Sequence, residues 1–331
     1  MMPVNHTSLS YNDHAMSKPI FILAPMDDVT DTVFRRVVAD CAPPDYTVTE
    51  FVNVDGLCSP GRDRLMRKLD TTLDIVPVIA QIWGKKPENF EAISREIAIG
   101  EIPGFSGIDI NFGCPAKSEI RADCCSALQQ KHLRPDAAAI IESTLQGAMD
   151  GNPDFPVSFK TRLGFSEIDF SWHEFLLGYK PSMLTVHVRT TKQMSKVPAQ
   201  WSAIQPIIEL RDELSPSTKI IMNGDIMSHS HGLEIIEKYG VDGVMIGRGI
   251  FQDPYAFAEK SPWPDIEQDR RIDHFKKHVL LHDKQWPGGM KPFNPLKKFA
   301  KVYISQFDGA SDLRARIMET ESTEQALQLI R

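Results

Sequence analysis

Short apolar runs rich in β-branched residues recur along the chain. Between them lie longer stretches in which apolar positions return every three or four residues. The first pattern suits buried strands and the second amphipathic helices. Eight strand candidates stand out: Ile20 to Ala24, Tyr46 to Thr49, Val76 to Ala80, Gly107 to Ile110, Val157 to Lys160, Met183 to His187, Lys219 to Met222 and Gly243 to Ile246. Asp31 to Asp40, Pro87 to Ile99, Asp136 to Met149 and His231 to Tyr239 have helical spacing, and Pro87 suits a first-turn position. Strands alternating with helices imply βα units and a parallel sheet. Eight such units predict an α/β fold, a (β/α)8 TIM barrel of about 250 residues. After Asp253-Pro254 the strands stop, and Arg271 to Gln285, Pro295 to Gln306, Asp312 to Met318 and Ser322 to Ile330 read as helices. The predicted organisation is therefore a disordered tail at residues 1–18, a barrel at 19–258 and a small C-terminal helical domain at 259–331.

Composition narrows the class. A chain of 331 residues that is 42% hydrophobic and 24% charged reads as soluble and globular. Apolar stretches such as Ile75 to Ile82 are strand-length, and the N-terminus lacks a basic region followed by an apolar run, so no membrane association and a cytoplasmic location are expected. The five cysteines, Cys41, Cys58, Cys114, Cys124 and Cys125, form no paired framework and no C-x-x-C spacing. Free thiols in a reducing compartment follow, with no metal site. From Arg270 to Arg331 there are 12 Lys and Arg against 7 Asp and Glu, whereas the whole chain carries −7, leaving the preceding residues at −12. A basic C-terminal face permits local phosphate contacts; a solvated helical surface is the other reading.

In a parallel barrel the active groups gather at the C-terminal ends of the strands. Here those ends carry Pro25-Met26, Glu50, Gln81, Asn111, Lys160 and Arg162, His187 and Arg189, Asn223-Gly224-Asp225, and Gly247-Arg248-Gly249. The glycine-rich ends of strands seven and eight let backbone N–H groups approach an anion, with Arg248 adding charge, which matches the usual phosphate position in this fold. Gln81 and Lys160 suit the polar edge of a flat heterocycle, and Pro25-Met26 an apolar platform beneath it. No G-x-G-x-x-G follows a strand, so a Rossmann nicotinamide site is not supported and FMN is the expected cofactor. Singly, Gln81 also reads as a rim hydrogen bonder and His187 as a satisfied core histidine. Cys114 lies between the breakers Gly113 and Pro115, so its thiol is held on a loop, either for chemistry or as a small hydrophobe in a turn.

Taken in order, LAPMDDVTDTVFR (Leu23 to Arg35), AQIWG (Ala80 to Gly84), DINFGCPAK (Asp109 to Lys117), VSFKTRLG (Val157 to Gly164), VHVRTTKQ (Val186 to Gln193), NGDI (Asn223 to Ile226) and DGVMIGRG (Asp242 to Gly249) resemble the tRNA-dihydrouridine synthases. Thr49 to Val52 and the LKKFAKVYISQF stretch further resemble the bacterial subgroup that modifies uridine 16. The resemblance implies reduction of the C5=C6 bond of a uracil in tRNA, with FMN reduced by NADPH, hydride passing to C6 and a proton reaching C5 from Cys114. It implies that Asn111, Lys160, His187 and Arg189 join Cys114 in catalysis. Pro25, Met26, Asp27, Gln81, Lys160, His187, Asn223, Gly224, Asp225, Gly247 and Arg248 would hold the cofactor. Glu50, Asn53, Lys117, Arg162 and Ser195, with Lys291, Lys297, Lys298 and Lys301 of the basic helices, would face tRNA. A monomer acting on a flipped nucleotide is expected.

The sequence departs from the family pattern in three places. RADCCSAL at Arg121 to Leu128 puts Asp123, Cys124 and Cys125 where small residues are usual, Ser195 stands where an aromatic is usual, and Asn53 where the subgroup has a basic side chain. Cys124 and Cys125 are the alternative proton donors, with Cys114 preferred on position. Two other functions share the residues: a small-molecule FMN barrel of dihydropyrimidine or dihydroorotate type, against which the basic helices argue, and a tRNA-binding homologue without turnover.

Overall fold

The computed structural model describes residues 18–330. The tail expected at residues 1–18 thus falls almost wholly outside the described residues; Lys18 pairs with Asp45. Among the described residues nine parallel strands form one sheet: β1 (Ile20–Leu23), β2 (Tyr46–Val48), β3 (Val52–Asn53), β4 (Val78–Trp83), β5 (Gly107–Asn111), β6 (Val157–Arg162), β7 (Met183–His187), β8 (Lys219–Asn223) and β9 (Gly243–Ile246). Pairing of β1 with both β2 and β9, and of β2 with β4, closes eight of them into a barrel. The two-residue β3 merely extends the rim alongside the end of β4. The expected α/β barrel is present, with two adjustments. The third expected strand, β4, starts at Val78 rather than Val76, because Pro77 cannot donate to the ladder, and it runs on to Trp83 through pairing with β5 and β3, so Gln81 lies within a strand rather than after one. The short β3 had no expectation behind it, since two residues carry no periodicity.

Alternation along each strand sorts side chains between two environments. Ile22, Ala24, Val48, Ile79, Met183, Ile221 and Met245 form an apolar cluster inside the barrel. Phe21, Leu23, Ile108, Ile110, Phe159, Leu184, Val186, Val244 and Ile246 belong to the larger core between strands and helices. The inward positions turn polar toward the C-terminal ends, where Gln81, Lys160, His187 and Asn223 follow two residues after apolar or smaller ones on the same face and Asn111 follows the buried Asp109. The register Arg162 to His187 to Asn223 to Met245 brings neighbouring strand ends level.

Outside, Thr32–Cys41 is capped by Asp31, whose Oδ1 accepts from the Phe34 N–H at 2.9 Å. Pro87–Ala98 begins on its proline and packs on Arg134–Gly151. Gly147 makes that packing possible, since a Cβ there would stand 2.1 Å from the Glu91 carbonyl oxygen.

After β9 the chain is helical: Gln268–Gln285, Asn294–Lys297, Ala300–Tyr303, Ala310–Glu319 and Thr323–Leu329. The single helix expected at Pro295 to Gln306 is two short ones, because the chain bends inward at Phe299, which stacks on Phe34 at 4.9 Å and also packs against His278. Phe275, Val279, Phe299, Tyr303 and Ile317 share the core cluster of the barrel's outer layer. No helix among the described residues is long and apolar enough to cross a membrane.

Candidate active site

The C-terminal mouth of the barrel opens into a cavity of about 580 Å³. That is within the ~300–1,000 Å³ range of ligand pockets. Of the residues expected at a site, Pro25, Met26, Gln81, Asn111, Cys114, Lys160, Arg162, His187, Ser195, Asn223, Gly224, Asp225, Gly247 and Arg248 line it. Phe51, which falls in the Thr49 to Val52 stretch but had no role expected of it, also lines it, as do Met227 and Gln252, for which the sequence carries no signal; each follows a strand end by a few residues on a loop, where periodicity is silent.

One wall is a hydrogen-bond network. Gln81 Nε2 donates to Asp109 Oδ2 at 2.7 Å, and Asn111 Nδ2 donates to Gln81 Oε1 at 3.0 Å. Asn111 Oδ1 accepts from the Gly113 and Cys114 N–H groups, each at 2.9 Å, which fixes the turn carrying the thiol. Ser158 Oγ donates to Asp109 Oδ1 at 2.8 Å. Burial raises the Asp109 carboxyl above its ordinary range, while Gln81, Ser158 and Lys160 resist that rise. Burial presses the Lys160 ammonium below its range, assisted by Arg162 and opposed by Asp109. Among the described residues the Lys160 ammonium makes no hydrogen bond to protein, so its donors are available to a ligand.

Cys114 is half-buried, and burial raises its thiol, so it stays protonated at neutral pH. Cys124 and Cys125 are buried away from the cavity lining, and Cys124 Sγ lies 3.4 Å from the Ala122 carbonyl oxygen. They are not placed to exchange protons there.

The opposite wall is built on a buried arginine. Arg189, 2% exposed, donates Nε to the Val197 carbonyl at 2.7 Å, Nη1 to His187 Nε2 at 3.1 Å, and Nη2 to Asp225. It buttresses the wall through His187 and Asp225 rather than lining it. Because an arginine can only donate, His187 Nε2 accepts and Nδ1 carries the proton. Burial and the surrounding charges of Arg162, Lys160 and Arg189 push His187 far down, so it is neutral. Asp225 also takes a 2.8 Å bond from Arg248, which it aims. Burial works to raise Asp225, but the Ala199 N–H and Arg189 outweigh it and hold it low. A carboxylate so placed orients cations; it is not itself a phosphate ligand. Gly224 adopts φ +123°, and a Cβ there would meet His187 Cδ2 at 3.0 Å, so glycine is needed for both reasons.

Polar Gln81 and Lys160, neutral His187, apolar Met26 and the glycine-lined, Arg248-bearing rim fit a flat heterocycle carrying a phosphate. Several expected residues lie elsewhere. Asp27 is exposed and pairs with Lys68, outside the lining. Glu50, 2% exposed, accepts from the Asp28 N–H at 2.7 Å and faces Lys291 at 3.7 Å, so it is buried structure rather than an RNA-facing group. Asn53 spends its side-chain oxygen capping Val54–Leu57 through the Gly56 N–H. Arg162 lines the cavity but donates to the carbonyls of Gly113, Thr190 and Met194, tying the Cys114 turn to the loop after β7. Lys291 is bound to Asp31 at 2.6 Å. Lys297 is buried at 8% exposure with Nζ on the Met318 carbonyl, so it does not present its charge to a partner. Lys117, Ser195, Lys298 and Lys301 are exposed.

A family model described as dihydrouridine synthase (Dus) matches residues 22–331. A probable tRNA-dihydrouridine synthase 2 of Bacillus subtilis (strain 168) is 43% identical over 95% of this chain and 94% of its own length. A probable tRNA-dihydrouridine synthase of Staphylococcus aureus (strain COL) is 43% identical over 95% and 93%. Among solved structures, histamine dehydrogenase from Rhizobium sp. 4-9 shares the fold at a TM-score of 0.51 and 12% identity, covering 79% of this chain and 48% of that one.

Proposed function

The chain belongs to the dihydrouridine synthase family, and we propose that it reduces the C5=C6 bond of a uridine in tRNA to 5,6-dihydrouridine, using FMN with NADPH as electron source. The observation that carries this reading is one cavity wall on which Asn111 fixes the Cys114 turn beside the unbonded ammonium of Lys160. Pro25, Met26, Gln81, Lys160, His187, Asn223, Gly224, Gly247 and Arg248 would hold the cofactor. Held there, FMN would supply the hydride-donor chemistry that the reduction needs.

The chain's own residues supply the rest. Hydride at C6 leaves enolate-like charge running from C5 to the C4 oxygen, and Cys114 Sγ donates the proton that C5 needs. Its raised pKa keeps that proton available at neutral pH. The Lys160 ammonium stabilises the developing negative charge, more strongly for being partly desolvated. Asn111 has one amide hydrogen left after its bond to Gln81, enough to orient a base edge. Neutral His187 offers Nδ1–H as a donor. The target base must leave its stack to reach the mouth, at a few kcal/mol that phosphate contacts by the exposed lysines of the C-terminal helices offset.

The test is a map of dihydrouridine in tRNA from cells with and without the protein. Loss of one position, uridine 16 by the resemblance of Thr49 to Val52, is expected; an unchanged map overturns the reading. With purified protein, Cys114→Ala should still bind flavin and tRNA yet form no dihydrouridine, and product at the native rate would remove Cys114 as the acid.

A further inference from the structure

An Asn or Gln amide can turn its C=O and NH2 ends either way, and its neighbours decide which. Two such amides stand in series, Gln81 within β4 and Asn111 at the end of β5, and Asp109 is the fixed end of the row. A carboxylate only accepts, and this one takes bonds from Gln81 Nε2 at 2.7 Å and Ser158 Oγ at 2.8 Å. Gln81 Oε1 is thereby turned to Asn111, whose Nδ2 donates to it at 3.0 Å. Asn111 is left with Oδ1 toward the turn, where it accepts the Gly113 and Cys114 N–H groups. We propose that Asp109 is a positioning residue for Cys114: its carboxylate sets the direction of an Asp109–Gln81–Asn111 relay that fixes where the thiol stands. Asp109 does not line the cavity; apart from its charge, which opposes the lowering of Lys160, it reaches the Cys114 turn through the two amides. The relay's catalytic consequence rests on the reading of Cys114 as proton donor; the relay itself does not.

Polarity, not shape, is what the relay transmits. An asparagine in place of Asp109 can offer its NH2 to Gln81 Oε1. Gln81 would then present Nε2 to Asn111, and Asn111 would turn its NH2 toward the Gly113 and Cys114 N–H groups, donor against donor, in a site where an unmet N–H is costly. Around the carboxylate stand Gln81 on β4 and Ser158 and Lys160 on β6, with Lys160 the charged group acting on it.

The experiment uses full-length, flavin-loaded protein with Asp109→Asn, and the double variant Asp109→Asn with Gln81→Glu. In the double variant the amide introduced on β5 donates to the carboxylate introduced on β4, whose other oxygen still accepts from Asn111, so the native direction is restored. The first readout is the pH profile of iodoacetamide alkylation at Cys114, followed on its own peptide by mass spectrometry. The second is kcat against KM for tRNA. Asp109→Asn should displace the Cys114 profile and lower kcat on the order of tenfold to a hundredfold with KM little changed, the loss expected for a misplaced reacting group. The double variant should return the Cys114 profile to the native one. A native profile in Asp109→Asn, or a profile in the double variant as displaced as in the single, overturns the proposal. Should Asp109→Asn fail to fold, protonation of Asp109 itself is the probe, since a carboxylic acid can donate to Gln81 and reverse the relay; Ser158→Ala strips one donor from the carboxylate and raises its proton affinity, so the change in Cys114 alkylation that accompanies acidification should move to higher pH. No movement overturns the proposal. Alkylation is read without RNA, so a wild-type protein that forms no dihydrouridine sinks the functional reading and leaves the relay standing.

Discussion

The thiol and the ammonium that face the cavity are both shifted by burial, but toward opposite ends of their usefulness. Burial raises Cys114, so it keeps its proton to higher pH than a solvated thiol, whereas burial lowers Lys160, so it loses its charge sooner than a solvated lysine. Turnover through a protonated acid and a cationic lysine must therefore fail in two alkaline steps, with Lys160 titrating first. Cys114→Ser should slow the chemical step and abolish only the later alkaline step, because a hydroxyl does not ionise in that range. A single-turnover pH profile at saturating tRNA checks this. Loss of the earlier step instead would reverse the two assignments. The same contrast explains why Cys124 and Cys125 are not spare acids. Burial raises both, Cys124 to about 11, but neither borders the cavity, so neither meets a substrate.

Among the elements, two close contacts hold the frame of the mouth. Arg134–Gly151 reaches Pro87–Ala98 only because position 147 has no side chain, so Gly147→Ala must push the helices apart or bend one. Overpacking of that kind costs about 1–3 kcal/mol, readable as a lowered denaturant midpoint with unchanged slope. The second contact is a latch of the C-terminal segment on the β1 loop, through Lys291 on Asp31 and Lys298 Nζ on the Asp28 carbonyl at 2.7 Å, and on the segment before β4, through Gln285 on Asp70 and Thr72. Burial alone would raise Asp31, but Lys291 outweighs it and holds Asp31 below its ordinary value, while Asp31 and Glu50 overcome the burial of Lys291 and raise it. A lowered carboxyl contributes stability that is present above its unfolded pKa and lost as pH falls through the folded one. A raised lysine contributes stability that is present below its unfolded pKa and lost as pH rises through the folded one. The latch thus holds from about pH 4 to about pH 10. Lys291→Met strands Asp31 at a cost of roughly 2–4 kcal/mol at pH 7, discounted for the lysine's partial exposure, and the deficit should shrink as Asp31 protonates in acid; unfolding at pH 7 and pH 4 decides. Legibility ends at this scale. Strand ends such as Asn111, Lys160 and His187 were readable because alternation places inward residues two apart. The direction of Lys297 was not, because the helix expected around it breaks where Phe299 turns inward, and that turn is set by Phe34 and His278, remote in sequence. Asp109 gave no signal either, since a carboxylate inside a strand declares its role only when Gln81 from another strand stands beside it.

For the whole molecule the decisive property is where charge remains free after folding. The chain is acidic overall at −7, and its basic excess lies in the last sixty or so residues, yet folding removes much of that excess from solvent. Lys291 is absorbed by Asp31 and Glu50, Lys297 by the Met318 carbonyl, and Arg271 by the carbonyls of Ile266 and Trp263. What stays exposed includes Lys298 and Lys301, on the segment that the latch holds against the β1 loop beside the mouth. A polyanion approaching an acidic protein is steered by such residual cations, not by net charge. Lys298→Ala and Lys301→Ala should each weaken tRNA binding and reduce the steepness of log K against log salt by about one counterion, as for any lysine that neutralises a phosphate. Lys297→Ala should leave the salt slope unchanged and lower the melting temperature, because its ammonium is buried on a carbonyl inside the fold, whereas Lys298, exposed but bonded to the Asp28 carbonyl, should show both effects. Binding isotherms at several salt concentrations, run beside thermal unfolding of the same three variants, separate the two kinds of lysine. A salt slope that falls for Lys297→Ala but not for Lys298→Ala or Lys301→Ala would move the RNA contact off this exposed edge.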